Sequence, residues 1–196
     1  MTDYPETASQ TAGPYVHIGC TPNFAGITGV YDRDLGQRMI TGETAGTRIT
    51  LIGQIFDGTG TPLRDAMVEA WQADANGLYA GMDGADPHFS GFGRCACDPE
   101  TGEFRFETVK PGAVPWPKGG MQAPHITLWI VARGINIGLH TRAYFADEEG
   151  NANDPVMARI EHKVRVKTLL AQPVEDFTYR FNISLQGPDE TIFFEV

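Results

Sequence analysis

Histidine, cysteine and tyrosine are the side chains from which a reactive or metal-binding centre would be built here, and few of them stand at useful intervals. His17, His88, His140 and His162 are scattered, and none has a second donor at a metal-ligand spacing. His125 begins the aliphatic run His125-Ile-Thr-Leu-Trp-Ile130, where a hydrogen-bonded core histidine is expected before a ligand. Cys95 and Cys97 stand two apart on a strand-like segment, without the two further ligands that zinc needs. With Cys20 they make an odd count of three, which reads as structural thiols of a reducing compartment. No Gly-x-Ser-x-Gly turn, phosphate loop, dinucleotide fingerprint or His-Glu-x-x-His occurs, so hydrolase, kinase and nicotinamide chemistry start without support.

Three other groups carry some chemical weight. Tyr79 follows the turn pair Asn76-Gly77, and on its own is a packed or hydrogen-bonded loop tyrosine. Trp71, Trp116 and Trp129 are large enough to be core or a subunit contact. Arg133 precedes the apolar loop Gly134-Ile-Asn-Ile-Gly138, with little acidic company nearby in sequence. A guanidinium there needs a partner, either a surface carboxylate or an anionic ligand.

The elements that must position these residues are short. From Arg48 onward, runs rich in β-branched and aromatic residues are divided by turn signals such as Asp57-Gly-Thr-Gly60 and Asp98-Pro-Glu-Thr-Gly102. Phe104 and Phe106 alternate with polar residues, as do Tyr179, Phe181, Ile183 and Leu185, the period of half-buried strands. Asp154-Pro155 reads as a cap and first position of a short helix through Ile160, with a further turn or two near Val164 to Leu170. Residues 1–47 show no period and read as an extended N-terminal arm laid over another surface; 48–196 read as the body of a single domain. The predicted fold is mostly β: an antiparallel β-sandwich with long loops and one or two short helices. Composition excludes more. Twenty-five acidic against 15 basic residues give a net charge of −10, which repels phosphate backbones and argues against nucleic acid. The longest apolar stretch, 128–132, is far too short for a membrane helix, and the N-terminus lacks an export signal, so a cytoplasmic protein is expected.

Longer blocks add a resemblance. VEAWQADANGLY at 68–79, GFGRCACDPETGEFRFETVKPG at 91–112 and APHITLWI at 123–130 resemble the intradiol ring-cleaving dioxygenases. With SQTAGPYVHIG at 9–19, ARGINIGLHTRAYF at 132–145 and the final GPDETIFFEV, the likeness runs nearly end to end. The resemblance implies a β-sandwich that holds one non-haem Fe(III) through two tyrosines and two histidines. Tyr79 and His125 stand at two of those positions; Val114 and Thr127 stand where the second tyrosine and second histidine would be, and Gln122 replaces a family arginine. Two donors hold ferric iron poorly at a site built for four, so no metal ligand and no catalytic residue is assigned to this chain.

The same resemblance implies a division of labour in which an α chain with a decayed site pairs with a homologous β chain that keeps the Fe(III). The α arm and one arginine then help to wall the partner's pocket for an aromatic acid that reacts with O2; the matching positions are Thr11, Gly13, Pro14 and Arg133. The first reading is therefore a subunit of a hetero-oligomeric dioxygenase. A second is a non-enzymatic β-sandwich module for binding or assembly. A third is a metalloenzyme that uses Tyr79 and His125 with unconventional ligands.

Overall fold

The computed structural model describes residues 10–136 and 138–195, so the first nine residues of the expected arm lie outside the described ones. The chain runs from helix α1 (Pro14–Cys20) to strands β1 (Arg48–Phe56), β2 (Met67–Trp71), β3 (Phe92–Ala96) and β4 (Glu103–Val109). A small hairpin of β5 (Val114–Pro115) and β6 (Met121–Gln122) precedes β7 (His125–Val131) and β8 (Leu139–Phe145). Short 3-10 segments fill 149–169, and β9 (Leu170–Glu175), β10 (Thr178–Arg180) and β11 (Ile183–Ser184) follow.

Apart from the hairpin, the strands join one sheet. β4 lies beside β1, whose other edge takes β10 and β11, and the order continues through β9, β8, β7, β2 and β3. The two end strands, β3 and β4, are joined by the tight Asp98–Gly102 turn, so the sheet wraps almost onto itself. It is mixed, which corrects the expected antiparallel sandwich: β1 runs parallel to β10 and β11, and β8 parallel to β9. Alternation in the sequence says which face a residue takes, whereas strand direction is set by the connections. The long 3-10 passage after β8 carries the chain over before β9 is laid down, and the turn at Phe177, at φ 59, reverses it into β10.

The core faces are those the period of two predicts. Leu51, Ile55, Phe104, Ile126, Leu128, Ile130, Phe145 and Ile183 are wholly buried, and Phe106 and Phe181 nearly so. Asp154 caps as expected, but the helix it opens is only a 3-10 turn at Met157–Arg159. Its Oδ1 accepts from the amides of Val156 and Met157, both at 2.8 Å, and the chain is extended again by Ile160.

The stretch read as an arm has structure of its own. Pro14 sits in the first turn of α1, where its missing N–H costs nothing, and this element was not expected. The second half of the arm belongs to the chain's own core: Met39 is 3% exposed, Arg94 donates its amide to the Gly36 carbonyl at 2.9 Å, and Ile40 bridges to Phe89. The stretch leaves no local period because its contacts are long-range. Its first half keeps Tyr15, Phe24, Val30, Tyr31 and Leu35 exposed.

Gly53 marks the closest backbone approach in the central strand. A methyl group there would lie 1.9 Å from the Phe181 carbonyl oxygen and 2.7 Å from the Phe104 ring. Gly53→Ala must therefore push β1 from the β10–β11 junction, at a cost of roughly 3 kcal/mol. A urea unfolding midpoint equal to that of the parent protein would show that the strands can part at no cost.

Candidate functional site

β7 separates its residues by the pleat: Ile126, Leu128 and Ile130 enter the core, and His125, Thr127 and Trp129 point to the opposite face. In register across β8 stand Tyr144, Arg142 and His140, and across β2 stand Trp71 and Glu69. The positions that the resemblance connects with a metal gather on this outer face. Tyr79 arrives on the loop after β2, held by Asp74, whose Oδ1 accepts from Asn76 and Leu78, and its ring stacks on Trp71 at 6.1 Å. Trp71 is the cross-strand neighbour of Thr127, and Thr127 that of Arg142. Val114 is buried on β5 opposite Gln122 of β6.

The structure closes this constellation with a guanidinium. Arg142 Nη1 donates to Gln122 Oε1 at 2.8 Å and to Tyr144 Oη at 3.3 Å. The Tyr144 hydroxyl points on to Asp154 Oδ1 at 3.4 Å, and Asp154 Oδ2 accepts the Ala123 amide at 2.8 Å. His125 is buried as expected, its Nδ1–H donates to the Ala123 carbonyl at 2.7 Å, and its ring lies 5.3 Å from that of Tyr144. Burial, with the Arg142 charge as a second cause, holds the imidazole down at about 4. Burial raises Tyr79, against the pull of Arg142, and pushes Tyr144 up to about 12. All three groups are thus neutral near pH 7.

These residues do not fit a ferric centre. Val114 offers no donor, Thr127 only a neutral hydroxyl, and a fixed cation stands beside the two remaining candidates. Among the described residues no group of three or more His, Cys, Asp or Glu could hold a metal. Cys95 and Cys97 are free thiols, as expected, and burial pushes both up, Cys95 to about 12. A cleft of about 550 Å³ opens over Arg142, walled in part by Trp116, Thr127, Arg159, Ile160 and Phe194. None of the three tryptophans is core: Trp71 is 44% exposed, and Trp116 and Trp129 are half-buried.

Thr11 and the Arg133 segment meet, although more than a hundred residues separate them. The Thr11 hydroxyl accepts the Gly134 amide at 2.8 Å and donates to the Ala132 carbonyl at 3.4 Å, so it brackets Arg133. Gly13 and Pro14 then start α1, which is pinned by His17 Nε2 donating to the Asp65 carbonyl at 3.0 Å. Arg133 has the acidic company that its sequence neighbours do not offer: its Nε lies 3.2 Å from Asp65 Oδ2, with the side chain 78% exposed. Sequence reasoning missed Asp65, and also Arg142, Tyr144 and Asp154 as members of the closed site. The alternation of His140, Arg142 and Tyr144 was the available signal for two of them, since it places them on one face.

The family description "Dioxygenase" matches residues 20–187. The protocatechuate 3,4-dioxygenase alpha chain of Pseudomonas putida is 46% identical, over 97% of this chain and 96% of its own. The protocatechuate 3,4-dioxygenase beta chain of Burkholderia cepacia is 34% identical, over 83% of this chain and 75% of its own. In fold the chain resembles 3-chlorocatechol 1,2-dioxygenase from Rhodococcus opacus, with a TM-score of 0.62 and 22% identity, over 81% of this chain and 67% of that one. No helix among the described residues is long and apolar enough to cross a membrane.

The buried imidazole makes stability depend on pH. With the folded state at about 4 and the free side chain at 6.5, the unfolded chain binds more protons between those values. Stability is full above pH 6.5 and is lost as pH falls towards 4, by up to about 1.4 kcal/mol per pH unit. His125→Asn keeps an N–H for the Ala123 carbonyl and removes the titration. Its unfolding free energy should therefore fall less steeply than the parent's between pH 6.5 and 4.5; parallel curves for the two proteins would rule this account out.

Proposed function

The chain belongs to the intradiol ring-cleaving dioxygenase family, and from that premise we propose that it is the α chain of a protocatechuate 3,4-dioxygenase, assembled with a homologous β chain. The family depends on non-haem iron. In this reading the Fe(III) is held by the β chain, and the complex adds both atoms of O2 to protocatechuate between its hydroxylated carbons, giving 3-carboxy-cis,cis-muconate. The α chain contributes structure and part of the pocket wall, and works in the cytoplasm.

The observation that carries the reading is the bracketing of Arg133 by Thr11. It puts Thr11, two residues before Gly13 and Pro14, against both neighbours of the arginine, whose side chain is largely exposed to solvent. The exposed apolar residues of the arm's first half supply a surface for the β chain to cover. A cation in that place attracts a carboxylated substrate and steadies a catecholate dianion. Asp65 keeps it oriented in the free chain.

Coexpression with a β chain that carries two tyrosine and two histidine ligands, followed by oxygen uptake on protocatechuate, tests the assignment. Activity in the copurified complex and none in either chain alone is the expected result; a chain that recruits no iron-bearing partner would instead be a non-enzymatic module. Within the complex, Arg133→Ala should raise KM for protocatechuate more than it lowers kcat. A charge-assisted contact of about 1.5 to 3 kcal/mol corresponds to roughly tenfold to a hundredfold in kcat/KM. Catechol, which lacks the carboxylate, should suffer less. Unchanged kinetics for both substrates in an intact complex would reduce Arg133 to a structural partner of Asp65.

A further inference from the structure

The loss of two donors is only half of what distinguishes this chain at the vacated position. Where the resemblance implies an arginine, the chain has Gln122, and a positive charge stands on β8, in register with Thr127. Resting on the correspondence of Tyr79, Val114, His125 and Thr127 with the family's ligand positions, we propose that Arg142 is the resident cation of this site, placed so that it keeps a metal ion off the chain even where donors are present.

Place is the first argument. Cross-strand neighbours on one face have their Cβ atoms about 4.5 to 5.5 Å apart, so an imidazole at position 127 would project beside the Arg142 stem. From there the guanidinium reaches Gln122 on one side and Tyr144 on the other, and Tyr144 in turn packs on the His125 ring. A donor added at 127 would therefore have this cation as its cross-strand neighbour, with the His125 ring packed on the phenol that the cation contacts. Nor can it swing aside freely. Its Cζ lies 5.8 Å from the centre of the Phe194 ring, and Gln122 is itself anchored by donating to the Pro115 carbonyl at 3.2 Å.

Charge is the second argument. A guanidinium has five donors and no lone pair to give, so it cannot become a ligand, and it does not lose its proton in proteins. Among the described residues no carboxylate forms an ion pair with Arg142, which leaves its charge to be met by an amide and a phenol oxygen. The guanidinium also takes over a mechanical role. A metal would tie the Tyr79 loop, β5 and β7 together; the chain of bonds from Pro115 through Gln122, Arg142, Tyr144 and Asp154 to Ala123 ties β5, β6, β8 and the 3-10 segment instead.

The test restores donors with and without the cation in the full chain, and reads iron content and the tyrosinate-to-iron absorption band. Val114→Tyr with Thr127→His should take up less than about 0.1 equivalent of Fe(III), and the further change Arg142→Gln should raise this at least about fivefold, with the band appearing. Arg142→Lys in the same background should stay empty, because it keeps the charge. Thr127→His with and without Arg142→Gln leaves the buried Val114 alone and is read by Zn(II) titration, where removal of the arginine should tighten binding by at least roughly tenfold. Equal metal binding with and without Arg142 in the folded zinc pair, or iron uptake with the arginine in place, would overturn the proposal. None of these measurements involves the β chain or protocatechuate, so their failure leaves the assignment of the α chain standing, and its failure leaves them readable.

Discussion

The pleat of β7, held in register between β2 and β8, is the constraint from which the rest of the molecule follows. A strand turns successive side chains to opposite faces, and here one face is closed by the aliphatic core while the other carries His125, Thr127 and Trp129. A slip of one residue would turn His125, Thr127 and Trp129 into the aliphatic core and take Ile126, Leu128 and Ile130 out of it, so core packing and the opposite face specify each other. The same register puts Arg142 opposite Thr127 and Tyr144 opposite His125.

Buried polar groups on that outer face are costly unless each has a partner, and Asp154 is the hub that supplies one to several. It is 1% exposed and accepts from three backbone amides and the Tyr144 hydroxyl. That explains why the passage after β8 can remain in short 3-10 turns. Its geometry is fixed by a side chain that also fastens the approach to β7, and no long helix is needed to place it.

The two ends of the functional story lie at different places on the molecule and obey different rules. Around Arg142 the groups are neutral or paired within the chain, which suits a closed structural centre. Around Arg133 the contacts are exposed, the apolar residues of the arm's first half face outward, and Asp65 is the carboxylate paired with the guanidinium. Such an edge is suited to completion by a second surface, while a net charge of −10 repels phosphate backbones.

Much of this was legible in the residues themselves. Alternation at Phe104 to Phe106 and Tyr179 to Ile183 marked buried faces and Asp154 announced a cap, since composition and period are local properties, whereas only the resemblance implied that Val114 and Thr127 stand at two ligand positions. The resemblance also picked out Thr11, Gly13, Pro14 and Arg133. Only the tertiary structure decided that β1 has parallel neighbours, that Met39 returns from the arm to the core, that Asp65 meets Arg133, and that Arg142 reaches Gln122. Each of these is a contact between segments far apart in the chain, and such contacts depend on how the connections route the strands, which no period of two or three and a half records.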